Sequence, residues 1–261
     1  MSAEVGELGL ITIPAGSTKA PLAISIANDA IDESNETFTI EYVSIENATF
    51  EGAGTPSTSV TIIDDDFAPN LTIAKTSSVS EGQSVQIPVT LNAPSSQQIT
   101  VNYEIRDGPV NPALVNVDYE AISGTLTFEP GQVTKSISLS SINDSLDEFD
   151  ETLQIVLVSP VNAEIDSSVS LVTIKDDDES PSISINDASI LEYTRNSGQA
   201  TIALSAQSAK PIRVSYSTQI GSATEEDFYQ DSGSVSFAPG ETSKSIKLYI
   251  AGDGVYEANE T

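Results

Sequence analysis

Along the middle of the chain, apolar and polar residues alternate with a period of two. Val85, Ile87, Val89 and Leu91 interleave with polar neighbours, as do Ile99, Val101, Tyr103 and Ile105, and Ile137 with Leu139 and Ile155 with Leu157 continue the pattern. Alternation of this kind puts every second side chain on one face, as half-buried antiparallel strands require. Gly124 to Phe128, the Pro130-Gly131 turn and Thr134 to Ser141 predict a hairpin, and Val169 to Ile174 a last strand. Seven or so short strands then make two packed sheets, with Phe128 and its repeat counterpart Phe237 in the core. Pro88 falls on the outward face of its strand and has no amide to donate, which predicts an edge strand or a bulge. The abundance of Ser, Thr, Val and Ile, with no long stripe of period 3.6, disfavours helix throughout.

The pattern is written more than once. Aligning Gly16, Gly131 and Gly240 places Asp29, Asp144 and Asp253 in register, 115 and 109 residues apart, while the runs Asp64 to Asp66 and Asp176 to Asp178 lie 112 apart. One repeat is thus about the length of a β-sandwich, ~100 residues. The expected organisation is the C-terminal half of one repeat over 1–66, a complete domain over 71–178 and the N-terminal part of a third over 182–261: a window cut from a longer tandem array. The bridges Phe67-Ala68-Pro69-Asn70 and Glu179-Ser180-Pro181 are too short and too proline-restricted for loose tethers, so successive domains are expected nearly end to end.

Composition narrows the function. The chain has 39 acidic against 10 basic residues and a formal net charge of -29. Such a field attracts cations and argues against nucleic acid or an anionic membrane surface as a direct partner. The absence of cysteine and histidine excludes disulfides, thiolate metal sites, imidazole catalysis and ordinary zinc ligation. No stretch approaches the ~18 apolar residues of a membrane span, so no direct insertion is expected of this segment, and no basic-then-apolar leader opens it.

The acids concentrate in loops. An acidic paragraph recurs as Asn28-Asp29-Ala30-Ile31-Asp32-Glu33, Asn143-Asp144-Ser145-Leu146-Asp147-Glu148 and Gly252-Asp253-Gly254-Val255-Tyr256-Glu257. In the middle copy Glu81 follows the first strand, Asp118 precedes the Gly124 strand, Asp144 and Glu148 follow the next, and Asp176, Asp177 and Asp178 close the domain. Loops of a sandwich can converge on one pole, and carboxylates held together there repel unless a cation joins them. Calcium takes six to eight oxygens and tolerates irregular geometry, whereas magnesium keeps much of its water. The residues therefore point to calcium ions as the ligand. Catalysis has little support, because nothing in the sequence marks one carboxyl as an acid.

The segment Gly124-Thr125-Leu126-Thr127-Phe128-Glu129-Pro130-Gly131, the Asn143-Asp144 step, the Glu148-Phe149-Asp150-Glu151 cluster and Thr173-Ile174-Lys175-Asp176-Asp177-Asp178 resemble the Calx-β domain, found in sodium-calcium exchangers, integrin β4 and large surface or secreted proteins. The resemblance covers essentially the whole chain. It implies all-β architecture, tandem immunoglobulin-like antiparallel sandwiches, which in the family's calcium-binding members carry a calcium cluster at one end. Carried over by position, it makes Glu81, Asp118, Asp144 and Glu148 carboxylate ligands, Leu146 a backbone-carbonyl ligand, Asp176 to Asp178 the closing set, and Glu151 a weaker candidate. The first copy offers Asp29, the Ile31 carbonyl, Glu33, Asp64, Asp65 and Asp66, and the third offers Glu192, Asp227, Asp253, the Val255 carbonyl and Glu257. The family's calcium binders carry Asp where this chain has Asn28, Asn143 and Gly252, which implies fewer ions or weaker binding. The resulting expectation is a secreted or cell-surface repeat segment, without enzymatic activity, that calcium stiffens for adhesion or spacing beside neighbouring repeats and a surface or matrix protein or glycan. The alternatives are a calcium sensor regulating a membrane transporter, a calcium-dependent carbohydrate-binding module, and a spacer with degenerate sites.

Overall fold

The computed structural model describes residues 9–52, 54–192, 197–252, 255 and 258–261. The strands are β1 (Glu36–Glu41), β2 (Ser57–Ile62), β3 (Asn70–Ile73), β4 (Thr76–Ser80), β5 (Ser84–Leu91), β6 (Ile99–Asp107), β7 (Gly124–Phe128), β8 (Thr134–Ser140), β9 (Glu151–Val161), β10 (Glu164–Ser167), β11 (Val169–Lys175), β12 (Ile183–Ile185), β13 (Ser197–Leu204), β14 (Ile212–Ser217), β15 (Ser232–Phe237) and β16 (Ser243–Tyr249). No helix occurs among the described residues. The all-β expectation holds.

The complete sandwich is formed by β3 to β11. One sheet has the order β10-β3-β5-β8 and the other β4-β11-β9-β6-β7. Pairing is antiparallel except where β10 meets β3 and β4 meets β11. The inward residues of both sheets, among them Leu71, Ile87, Val101, Leu139, Ile155 and Val172, form one core in which each is fully buried. That core is what alternation along β5, β6, β8 and β9 produces when two apolar faces meet. Phe128 and Phe237 are both 1% exposed, the first in this core and the second in a smaller one between the β12-β13-β16 and β14-β15 sheets.

The repeats agree in register. Ile99 faces Phe128 across β6 and β7 as Ile212 faces Phe237 across β14 and β15. Val85 faces Leu139 as Gly198 faces Leu248, and Thr37 faces Thr61 as Thr152 faces Thr173. A slip of one residue would turn every apolar side chain outward, so the shared register follows from the shared pattern. A Gly-Tyr pair also recurs. A Cβ on Gly124 or Gly233 would lie 2.9 Å from the hydroxyl oxygen of Tyr103 or Tyr216, because the ring lies across the glycine on the neighbouring strand.

Two sequence expectations are corrected. β7 and β8 do not form a hairpin: β7 pairs with β6 and β8 with β5, so the Pro130-Gly131 turn arches between sheets. Gly131 still adopts the positive φ of 80° that such a turn uses. Local sequence dictates the turn, but Phe128 and Ile137 reach the same core from opposite sheets. Pro88 is neither on an edge strand nor in a bulge, since β5 lies between β3 and β8 in unbroken register. Its carbonyl accepts from the Ala74 amide at 3.0 Å, so its nitrogen faces the same side, where β3 has already ended at Ile73 and a missing donor is not required.

Replacement of the fully buried Leu139 by alanine is expected to destabilise the middle sandwich by about 2–5 kcal/mol. The check is a lowered urea midpoint for the transition reported by near-ultraviolet Tyr103 and Tyr119 signals.

Candidate metal centre

Strand ends place the acids of the middle copy. Parallel pairing of β4 with β11 sets Ser80 opposite Lys175, and the Glu81 amide donates to the Lys175 carbonyl at 3.2 Å. Glu81 therefore leaves its strand beside the Asp176 to Asp178 run. Ser141, just past β8, fastens the third segment: its hydroxyl donates to the Ser80 carbonyl at 2.8 Å, and its amide to the Gln83 carbonyl at 2.9 Å. Gly82 has a φ of 66° and lies so close to Asn143 that a Cβ would stand 3.0 Å from the Asn143 Cβ. The Asp144 loop is thereby packed onto the Glu81 turn.

Asp144 forms an Asx turn, accepting from the Leu146 amide at 2.8 Å. The first copy repeats it, with Asp29 accepting from the Ile31 amide at 3.0 Å. Asp118 is fixed differently. Its carboxylate accepts from the Leu114 amide, and its carbonyl accepts from the Ile142 amide at 2.9 Å, tying the loop before β7 to the Asp144 segment. Gly108 lets that loop pass against β9, where a Cβ would meet the Thr152 backbone.

Two groups of three carboxylates result, each offering oxygens within 4.8 Å of one another: Glu81 with Asp144 and Asp178, and Asp118 with Glu148 and Glu151. The Glu148 amide donates to Asp176 at 3.1 Å, which brings the groups to one pole. Asp177 is exposed and joins neither group. Two oxygens, Glu81 Oε2 and Asp178 Oδ2, are buried without any hydrogen-bond donor.

The first copy collects Asp29, Glu33, Asp64, Asp65 and Asp66 around one cleft, together with Glu36, which the sequence reading missed. Mutual repulsion there is felt at Asp66, raised first by desolvation and then by Asp65, Asp64, Asp29 and Asp32. In the third copy Asp227 accepts from the Thr224 amide at 2.6 Å and hydroxyl at 2.8 Å, which hold it below the usual carboxylate range. Glu192 and Asp227 join no three-acid group among the described residues. Asp253 and Glu257 lie outside the described residues.

The electrostatics are those of crowded carboxylates. Desolvation, followed by the charges of Asp144, Asp176 and Asp178, pushes Glu81 up to about 7 against an opposing Asp144 amide. Glu151 is pushed up to about 8 by desolvation, then by its hydrogen bond with Asp118 and the charges of Asp118, Glu148 and Glu81. Glu148 is raised by desolvation, then by Asp144, Asp118 and Asp176. With oxygens no more than 4.8 Å apart, ionised Glu148 and Glu151 would repel by at least roughly 3.5 kcal/mol at an effective dielectric of about 20. Hard oxygen donors in excess of their positive partners, two of them buried without donors, are a donor set that fits a divalent cation.

Glu151, a weaker sequence candidate, thus sits within the second group, whereas Asp177 stands apart from both. Ser141 and Gly82 were missed altogether. Polar and small residues in loops carry no periodicity, and only the closeness of Glu81 to Asn143 shows what they do.

Comparisons with known proteins agree with the repeat. The Calx-beta domain family model matches three times, over residues 7–66, 70–178 and 176–261. Adhesion G-protein coupled receptor V1 of Danio rerio is 26% identical over a 277-residue alignment that takes in 94% of this chain and 4% of the receptor. Sodium/calcium exchanger 2 of Homo sapiens is 27% identical over 181 residues, 61% of this chain and 19% of the exchanger. The chain therefore spans a small fraction of these relatives' length. Among solved structures, CBD12 from CALX1.2 is similar with a TM-score of 0.40 and 23% identity, covering 71% of this chain and 76% of that one.

The raised carboxyls set a pH dependence. Folded values near 7 for Glu81 and 8 for Glu151 exceed the unfolded value of ~4.3, so the ion-free fold holds these protons more tightly than the unfolded chain does. Their contribution to stability is fully present below about pH 4 and is lost as pH rises through about 7 and 8. Chelator-treated protein should accordingly lose melting temperature between pH 5 and about pH 8.5 through these groups, and Glu151→Gln should flatten that loss.

Proposed function

We propose, from the premise that the chain belongs to the Calx-beta domain family, that its repeats bind calcium at their acidic poles and that the bound ions hold the array stiff. The observation that carries this reading is the pair of buried donor-less oxygens on Glu81 and Asp178, in one group with Asp144. A calcium ion supplies the positive charge that such oxygens lack, and accepts six to eight of them at ~2.3–2.6 Å. Asp118, Glu148 and Glu151 would hold a second ion, Asp176 would bridge the two, and Asp177 would stay in solvent or move inward on binding. The Leu146 carbonyl completes the middle set. Asp29, the Ile31 carbonyl, Glu33 and Asp64 to Asp66 form the first copy's site, and Glu192, Asp227, Asp253, Val255 and Glu257 the third's.

We place domain limits near 1–66, 71–178 and 182–261, so that each acid run stands at a junction. Stiffening there suits an extracellular or cell-surface segment used for spacing or adhesion, with a surface or matrix protein or glycan as distal partner. The relatives are named as an adhesion receptor and as sodium/calcium exchangers, so a sensor controlling a membrane transporter is the second reading. Affinity separates the two, because a constitutive extracellular ion is bound at ~10⁻⁴–10⁻³ M and a sensor's at ~10⁻⁷–10⁻⁵ M. No catalytic role is proposed.

Calorimetric titration with calcium should show uptake with release of protons, since the ligands must be deprotonated. An ion present at about 100 times its Kd should add about 2.7 kcal/mol to the fold, read as a raised melting temperature. Asp144→Asn and Glu81→Gln should each weaken binding, and the melting temperature of the double variant should fall less on chelation than that of the unaltered chain. Melting curves of the unaltered chain that coincide in calcium and in chelator would overturn the proposal.

A further inference from the structure

Two aspartates of the acidic paragraphs lie in neither three-acid group and turn toward the next repeat. Asp32 is 9% exposed and Asp147 3% exposed. The Asp32 carboxylate accepts from the Ser95 hydroxyl at 2.6 Å, and its carbonyl from the Ser96 amide at 3.0 Å. Asp147 does the same one repeat further on, with its carboxylate accepting from the Ser208 hydroxyl at 2.6 Å and its carbonyl from the Ala209 amide at 2.9 Å. Both contacts are parallel β-bridges, Asp32 to Ser95 and Asp147 to Ser208. Each serine is 2% exposed, and its carbonyl accepts from the glycine of its own repeat's arching turn, Gly131 at 2.8 Å or Gly240 at 2.9 Å.

We propose that Asp32 and Asp147 are latches between repeats: each carboxylate is a socket for one serine of the following repeat, fixing how the neighbour is seated. Several observations support this assignment over a solvated acidic face. The same atoms meet in the same way at both junctions, although the flanking residues differ: Gln97 reaches Asp32 at 3.4 Å where Lys210 reaches Asp147 at 2.7 Å. The contact therefore does not depend on the lysine. Both carboxylates are buried in a chain whose other acids are mostly exposed, and serine hydroxyls meet both of them, offsetting the cost of burial. The serines are tied in turn to the Gly131 and Gly240 turns, so the socket grips a braced part of the neighbour.

The latch also has a partner rule. A following repeat must present Ser at the Ser95 or Ser208 position with free amides beyond it, and a preceding repeat must present Asp. The third copy has Tyr256 where the first two have Asp32 and Asp147. Tyrosine has no carboxylate, so that copy does not carry the socket. Asp147 stands between Leu146 and Glu148, which the proposed function assigns to calcium, but the latch itself needs no ion.

The native chain has no cysteine, so spin labels can be placed by Ser138→Cys and Ser236→Cys in the full chain, one on each side of the second junction, and by Thr39→Cys with Ser138→Cys across the first. The inter-label distance distribution is measured with calcium and with chelator. Ser208→Ala and Asp147→Ala should broaden the second distribution, and Ser95→Ala the first, in both conditions, with about a tenfold loss in the ratio of docked to undocked junctions. Calorimetric calcium stoichiometry of Ser208→Ala should stay that of the unaltered chain, which shows that the variant folds. Distributions as narrow in Ser208→Ala and Asp147→Ala as in the unaltered chain would overturn the latch. If they stay narrow while chelator broadens the unaltered chain, the calcium reading survives and the latch fails. If they broaden while chelator changes nothing, the latch stands and calcium stiffening fails.

Discussion

Carboxylates gathered at the tip of a sandwich, most of them partly or fully buried and short of hydrogen-bond donors, are the constraint on which the rest turns. Burying an anion without a counter-charge is costly, and the cost is met by protonation, by donors or by a cation. The first two appear in this chain, and the proposed function supplies the third. Glu81 and Glu151 are driven toward the protonated form. Asp147 is held below the usual carboxylate range by the Lys210 ammonium first and by Ser208 and Ser180 after it. Glu81 Oε2 and Asp178 Oδ2 are left with no donor at all.

The fold produces this crowding through a few topological choices. β3 and β4 are consecutive yet belong to different sheets, and the switch at Ala74 and Lys75 lets β4 run parallel to β11. Parallel neighbours end at the same pole, which is why Glu81 meets the Asp176 to Asp178 run across nearly the whole length of the repeat. β8 ends there as well, and Ser141 binds the Glu81 turn to the Asp144 loop. The same pole faces the following repeat. Lys210 spans the two functions, reaching Asp147 at 2.7 Å and Asp176 at 3.2 Å. As a cation from the next repeat placed against the closing acid run, it lowers the local excess of negative charge and couples the junction to the acidic centre.

Strands, sandwich and acidic loops were legible in the sequence because they rest on period-two alternation and on a motif that recurs. Val85 to Leu91 and Ile99 to Val101 behave as their pattern requires, and Glu81, Asp144 and Asp178 meet as their loop positions implied. What was not legible depends on which sheet a strand joins. The turn at Pro130-Gly131 reads as a hairpin because its residues fix only the local reversal, while Phe128 and Ile137 settle the arch through a core invisible to the local pattern. Pro88 reads as an edge residue because one cannot see from sequence that β3 ends before reaching it. Ser95 and Ser208 were missed for a related reason. In loops written Pro-Ser-Ser and Gln-Ser-Ala they look solvated, and only contact with the preceding repeat buries them.

The most direct measurement is an anomalous-scattering crystal structure of the chain grown with calcium or a lanthanide substitute. The expected result is a strong peak bounded by Glu81, Asp144 and Asp178, with Glu81 Oε2 and Asp178 Oδ2 at calcium-oxygen distances of ~2.3–2.6 Å, and a second beside Asp118, Glu148 and Glu151. A map without density at either place, with water or a shared proton satisfying those oxygens instead, would contradict it.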